Sequence, residues 1–368
     1  MNVILTGVTG TLGSQVLYEL LQQKEISKIY LLIRGKGNLT PKQRLTRVLN
    51  NPAAPQYVLK HLNCLENRIE VLDTASFLQP ETYLSASEKT YFIHSAGCVN
   101  LSTDASQKDI IYNGNLTFTK TIFNTFSKYI TKFTYISTAF SIGDVGGIIK
   151  NDYHQKIQPK FRNFYEASKH ATEKFLLKEG QNSSVDIQIL RPSVLGGNIY
   201  NEAPYFISNY MVYYLLGKFF YNNPLVKHNS IRFAINTLTG LNIVPVDYVA
   251  KVIATVFTKN ITQLNIVQSK STNVLNGMKR IVEAVGFSNY KFVNTLDNNF
   301  VLEGKNRLEN IYYKTIGLHL NRYLTSIPYE FDTTTLETIV AMPKYDIETY
   351  LSQTITYAKQ HNFVGQEW

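Results

Sequence analysis

A short apolar run, 2-NVILT-6, passes without a spacer into 6-TGVTGTLGSQ-15, and glycines stand there at positions 7, 10 and 13. The segment that follows, 12-LGSQVLYELLQQ-23, carries apolar residues at helical spacing. Few structures satisfy a strand, three glycines three apart and a helix in that order. Gly7 permits a tight turn, Gly10 lets the backbone approach a pyrophosphate, and Gly13 allows the helix to sit close to the strand. The N–H groups at the helix start then hold the anion, with Thr9, Thr11 and Leu12 in the same loop. Glycine spacing alone is a weak signal. In this strand–turn–helix setting it predicts a dinucleotide-binding element.

The first half of the chain repeats the strand–helix alternation. Apolar runs recur at 29-IYLLI-33, 69-IEVL-72, 91-YFIH-94, 133-FTYIS-137 and 187-IQIL-190, with a longer periodic stretch at 164-FYEASKHATEKFLLKEG-180. Buried parallel strands with crossover helices read this way. The expected fold is α/β, a Rossmann-type doubly wound parallel sheet. A later strand is expected at 241-LNIVPV-246, followed by a helix over 247-DYVAKVIATVF-257 with Asp247 as its N-cap. Strand signals thin out beyond about residue 270. The expected division is therefore a binding domain over 1–270, with substrate-lobe insertions around 197–240. A smaller, mostly helical C-terminal lobe follows over 271–368.

Composition closes off several classes. The chain has 368 residues, long enough for a sizeable core, and 17% charged residues against 12% aromatic argues against disorder. Cys64 and Cys98 are too few for a disulfide framework and lack the clustering of a metal site, so no metal and a reducing, cytoplasmic setting are expected. The net charge of +10 comes from scattered Lys and Arg with no recognition motif beside it. Nucleic acid is excluded on that ground, and an anionic small molecule or carrier is favoured. The start, MNVILTGVTG, has no basic leader region. The greasiest stretch, 205-YFISNYMVYYLLGKFFY-221, includes Asn209 and Lys218 and is short for a membrane span. It is expected as a buried or substrate-facing helix, which leaves room for peripheral membrane contact.

At the end of the second strand, 31-LLIRG-35 places Arg34 where an acidic residue would bind a ribose 2′-hydroxyl. An arginine there pairs instead with a 2′-phosphate, which favours NADP(H) over NAD(H). Arg44 in 41-PKQRL-45 is a candidate second arginine. Asp73 either reaches the adenine edge or caps a turn. Ser95, Ala96 and Gly97 end another strand with small residues where a ribose would pass, and His94 beside them reads as a core histidine. Pro192 and Ser193, in 191-RPSV-194, turn the chain beside the expected nicotinamide.

Tyr165 and Lys169 in 163-NFYEASK-169 are an i,i+4 pair on one helix face. A nearby ammonium is expected to lower the phenol pKa, so that the tyrosine exchanges a proton at neutral pH. Ser137 and Thr138 follow the strand 133-FTYIS-137, so one of the two hydroxyls can face the ligand crevice.

These segments together resemble the extended short-chain dehydrogenase/reductases. They are most similar there to the reductases of fatty acyl thioesters and the terminal reductase domains of carboxylic acid reductases and peptide synthetases. The resemblance rests on TGVTGTLG, 30-YLLIRG-35 with 43-QRL-45, 92-FIHSAGCVN-100, 135-YISTAF-140, 163-NFYEASKHATEKFL-176, LRPSVLGG and 232-RFAINTLTGLNIVPVDYVAKVI-253. It spans roughly residues 1–260 and continues faintly at 309-ENIYYKTIGLHLNRYLTSIPYEFD-332. It implies Thr138, rather than Ser137, with Tyr165 and Lys169 as the catalytic set, and Asn115 as a supporting residue. The implied activity is NADPH-dependent reduction of an acyl thioester, carried by coenzyme A or a carrier protein, to aldehyde or alcohol. The chain departs from the pattern after 191-RPSVLGG-197, where NIYNEAPYF replaces a short turn. The same Thr–Tyr–Lys set also serves epimerases, dehydratases and hydroxysteroid-type alcohol dehydrogenases.

Overall fold

The computed structural model describes residues 1–153, 159–295 and 304–368. Seven strands form the central sheet: β1 (Asn2–Thr6), β2 (Lys28–Leu32), β3 (Ile69–Leu72), β4 (Thr90–His94), β5 (Lys132–Ile136), β6 (Asp186–Pro192) and β7 (Gln263–Ile266). Their order is β7-β6-β5-β4-β1-β2-β3, and every neighbouring pair is parallel. β1 and β4 are wholly buried, as strands of a sheet covered on both faces must be. The chain builds outward from β1 to β3, then crosses to β4 and builds the other way. That reversal opens a crevice at the carboxyl ends of β1 and β4, where Thr6 pairs with His94.

Helix α1 (Thr11–Gln22) follows the glycine loop and packs against α5 (Val246–Val256). Helix α2 (Pro41–Leu49) begins with a capping box made by Thr40 and Gln43. Helix α3 (Phe164–Asn182) is capped by Asn163, whose Oδ1 accepts from Glu166 N.

A second body lies against the crevice. It is built from α4 (Tyr213–Asn222), α6 (Val274–Ala284), α7 (Ile316–Leu324) and α8 (Ile347–Gln360), with the parallel strand pair Ile231–Ile235 and Tyr290–Asn294. Both the 197–245 stretch and residues beyond 271 contribute to it. Aromatic residues fill its core: Phe220 stacks on Phe287 at 4.6 Å and meets Phe233 edge-on at 5.6 Å.

Three local expectations are revised. The strand expected at 241–246 is Ile243–Pro245, and it pairs with Val194–Gly196 outside the central sheet. The seventh sheet strand is instead Gln263–Ile266, a four-residue run that carries no strong alternation. Asp247 does not cap α5, since Pro245 stands at the cap position. Its carboxylate accepts from the backbone N–H groups of Ile199, Tyr200 and Asn201 and so holds the loop after β6. Only 213–222 of the greasy stretch is helical; Tyr205 and Val212 take φ of 65° and 52°, which breaks the helix there.

Candidate active site

The glycine loop is shaped by close backbone approach. Gly7 has φ +79°, and a Cβ there would lie 2.7 Å from Ala96 N. A Cβ on Gly13 would stand 2.1 Å from Gly7 O, so α1 starts in direct contact with the turn. Gly10 N donates to Gly7 O at 2.8 Å and closes that turn. Gly10 is also the N-cap of α1 and supplies no side-chain acceptor. The first N–H groups of the helix therefore face the crevice uncapped, as an anion site requires. Tight glycines and an uncapped helix start fit a dinucleotide pyrophosphate.

Behind the loop, Thr6 Oγ1 contacts His94 Nδ1 at 2.8 Å and accepts from Ala96 N, while His94 Nε2 meets Thr119 Oγ1. Both ring nitrogens are engaged. Burial, with a smaller push from Lys169, lowers the imidazole pKa to about 3. His94 is thus a neutral core residue at ordinary pH.

A cleft of about 470 Å³ runs from Gly7, Gly10, Thr11, Leu12 and Gly13 past Ser95, Gly97, Pro192 and Ser193. Thr138, Tyr165 and Lys169 stand on its wall. Ser137 and Thr138 diverge: Ser137 Oγ donates to Glu173, whereas Thr138 Oγ1 accepts from Phe140 N and lines the cleft beside Tyr165. Tyr165 does not show the expected lowering. Burial pushes its pKa above the ordinary tyrosine value, opposed by the Thr138 side chain. Lys169 is not the cause of any shift there, because its Nζ donates to Ile136 O at 2.8 Å and lies 4.6 Å from the Tyr135 ring centre. Burial brings the lysine down to about 8, with the Glu173 carboxylate opposing.

Asn115 lies outside the cleft wall, wholly buried in a π-helical turn over Asn113–Thr117. Its Oδ1 accepts from Cys98 N at 2.8 Å, and its Nδ2 donates to Cys98 O and to Ser168 Oγ. It clamps the 97–98 backbone to the helix that carries Tyr165 and Lys169. A Cβ on Gly97 would meet both Asn115 Oδ1 and Lys169 Nζ, so this contact needs glycine.

The adenosine-side candidates separate. Arg34 is exposed at the end of β2. Arg44 is largely buried, and its guanidinium donates to Arg34 O and to Trp368 O, each at 2.7 Å. It supports the Arg34 backbone and does not stand open to solvent, a correction to its expected role as a second phosphate arginine. Asp73 takes the capping alternative: its Oδ1 accepts from Ser76 N at 2.8 Å, which holds its carboxyl below the usual range. Ala96 and Thr9 act through backbone, as donor to Thr6 and acceptor from Trp368.

Sequence reasoning missed the buried network behind Thr138. Glu173, one turn beyond Lys169, accepts from Ser141 Oγ at 2.7 Å and pairs with Arg191, while Tyr153 lies over the Arg191 guanidinium. The four-residue step from Lys169 to Glu173 was the available signal. The far end of the cleft was missed as well. Met278 and Ile281 on α6, Leu320 and Leu324 on α7, and Leu216 on α4 make it apolar. Nothing local marks them, since each reads as ordinary core.

Among the described residues, no group of three or more His, Cys, Asp or Glu side chains is arranged to hold a metal ion. No helix among them is long and apolar enough to cross a membrane.

A family model described as male sterility protein matches residues 5–253. The chain is 26% identical over 240 residues to a putative fatty acyl-CoA reductase of Drosophila melanogaster, covering 56% of this chain and 43% of that protein. It is 25% identical over 244 residues to fatty acyl-CoA reductase 1 of Homo sapiens, covering 57% and 46% respectively. The match thus spans less than half of each relative's length. Among solved structures, the terminal R domain from the myxalamid biosynthetic pathway superposes with a TM-score of 0.66 at 18% identity, covering 100% of this chain and 92% of that one. The UDP-glucuronic acid 4-epimerase of Bacillus cereus in complex with NAD gives 0.63 at 15% identity, covering 98% and 99%. These two likenesses carry the extended, Rossmann-type fold.

Proposed function

Because the chain belongs to the male sterility protein family, we propose that it is an NADPH-dependent reductase of acyl thioesters, acting in the cleft between the sheet and the second body. One observation carries this reading: a single cleft joins the glycine loop, the Thr138–Tyr165–Lys169 wall and an apolar end lined by the second body. A nucleotide-sugar substrate would require polar partners at that far end, where Leu216, Met278, Ile281 and Leu324 stand. An acyl chain requires only that they exclude water.

The uncapped start of α1 binds the cofactor pyrophosphate, and Arg34 pairs with a 2′-phosphate. The nicotinamide, when bound, supplies a hydride to the thioester carbonyl carbon. Thr138 and Tyr165 present their hydroxyls side by side and donate hydrogen bonds to the carbonyl oxygen as it gains negative charge. Both residues line the same cleft wall, and a carbonyl oxygen placed there would accept from both hydroxyls. Tyr165 gives up its proton to the oxyanion, and its high pKa keeps that proton in place until the charge develops. Lys169, charged below about pH 8, lines the cleft and holds a ribose hydroxyl of the bound cofactor. Collapse of the tetrahedral adduct expels the thiol and leaves an aldehyde. A second round on the aldehyde gives the alcohol.

The decisive experiment is NADPH oxidation with a panel of acyl-CoA and acyl-carrier thioesters of graded chain length, with products identified by mass. Thioester-dependent oxidation with release of free thiol and aldehyde or alcohol is expected. NADPH binding without turnover on any thioester, together with turnover of a nucleotide sugar or secondary alcohol, overturns the reading.

A further inference from the structure

Segment 363–368 leaves the second body and returns to the glycine loop. After α8 the backbone reverses through Asn362 and Phe363, both with φ of 52°, a region that non-glycine residues rarely occupy. Contacts from α4 hold this reversal: Lys218 Nζ donates to Phe363 O, Tyr221 OH to Asn362 Oδ1, and the Phe363 ring packs against Tyr221 at 5.7 Å. The chain then runs along Ser208, α2 and the loop before α1. Gln366 N donates to Ser208 O at 2.7 Å, and Gln366 Oε1 accepts from Asn51 Nδ2. Glu367 O accepts from Arg47, and Trp368 O from Arg44. Trp368 is 4% exposed, and its indole Nε1 donates to Thr9 O, inside the glycine loop, at 2.9 Å.

Trp368 thereby joins the loops that follow the paired strands β1 and β2. Directly, it holds Thr9, between Gly7 and Gly10. Through Arg44 it holds the carbonyl of Arg34, because the same guanidinium bridges Trp368 O and Arg34 O. We infer that residues 366–368 form a strap whose Trp368 positions Thr9 and Arg34, so that the second body sets the affinity and the 2′-phosphate preference of the dinucleotide site. This rests on the dinucleotide reading proposed above. Trp368 is a positioning residue here: it acts through the loop and through Arg44.

Trp368 is the only tryptophan in the chain, so its fluorescence reports on the strap alone. Titration of the full chain with NADPH is expected to quench Trp368 emission saturably, with the dissociation constant obtained from the cofactor's own fluorescence. Trp368→Phe keeps a ring in place and removes the N–H that Thr9 O accepts. It is expected to raise the NADPH dissociation constant roughly tenfold or more, and that of NADH by a smaller factor. Trp368→Ala is expected to weaken both further. Unaltered chain that binds neither dinucleotide overturns the dinucleotide reading and the strap with it. Tight NADPH binding that leaves Trp368 emission unchanged, or a folded Trp368→Phe protein with unaltered affinities, overturns the strap alone. The emission arm needs no substitution and decides the matter where a variant does not fold.

Discussion

Glu173 Oε2 accepts from Arg191 Nε at 2.9 Å and from Nη2 at 2.7 Å, and both side chains are wholly removed from solvent. The same carboxylate accepts from Ser137 and Ser141 through its other oxygen. This buried pair therefore backs the strand end that carries Thr138. Glu173→Gln leaves the guanidinium buried without its countercharge, and removing one partner of such a pair costs about 3–5 kcal/mol. Urea unfolding is expected to show a midpoint lowered accordingly; a loss under about 1 kcal/mol would mean that the network relaxes around the change.

Tyr165 supplies the proton in the proposed reaction, and its hydroxyl lies against Thr138. Tyr165→Phe removes one oxygen from the cleft wall without leaving a charge unpaired. Turnover is expected to fall by roughly 10²–10⁴, the usual reach of general acid catalysis, while NADPH binding stays within about twofold. Steady-state kinetics beside a direct binding titration checks both halves.

In the proposed reaction Lys169 is expected to set the alkaline limit. Its folded pKa of about 8 lies below the ordinary 10.5 because burial disfavours the charged form. The ammonium that the proposed reaction places on a ribose hydroxyl is present below that value and lost above it. A profile of kcat/KM against pH is expected to fall above about 8, and Lys169→Arg is expected to remove this limb, because guanidinium stays charged. The stability linkage has the opposite sense. Between about 8 and 10.5 the unfolded chain binds more protons than the folded one, so stability contributed at this site rises with pH in that window.

Arg34 is exposed at the end of β2, and Arg44 holds its carbonyl. Arg34→Ala is expected to weaken NADPH by roughly tenfold or more and NADH by less than about twofold, since only the former offers a 2′-phosphate. Binding titrations with both cofactors check it; an equal loss for the two removes the 2′-phosphate assignment.

Leu216 and Met278 line the apolar end of the cleft from two different helices. Leu216→Trp shortens the space without adding charge. Turnover of long acyl thioesters is expected to drop by about tenfold relative to short ones, the scale set by a few methylenes in an apolar pocket. Competition between a long and a short acyl-CoA in one vessel reads the ratio directly.

Much of this architecture is written locally. The run 2-NVILT-6 and glycines 7, 10 and 13 announce the loop because a strand, a tight turn and a helix start each depend on a handful of adjacent residues. Six of the seven sheet strands are legible for the same reason, as apolar runs between turn residues. Tyr165 and Lys169 share a helix face through spacing alone. Two of the expectations that failed depended on partners remote in sequence. Asp247 looks like a cap until residues 199–201 arrive to use its carboxylate. Gln263–Ile266 becomes a strand because β6 offers it a free edge.

Local sequence decided the order of elements, the position of the glycine loop and the presence of a tyrosine, a lysine and a threonine at the sheet's carboxyl edge. Tertiary structure decided what each side chain does there. It turned Arg44 onto the carbonyls of Arg34 and Trp368, raised Tyr165 by burial where spacing alone predicted lowering by Lys169, and assembled an apolar cleft end from α4, α6 and α7. The physical reason is range. Backbone conformation responds to neighbours a few residues away, whereas desolvation and hydrogen-bond partnership depend on which distant segments close over a group.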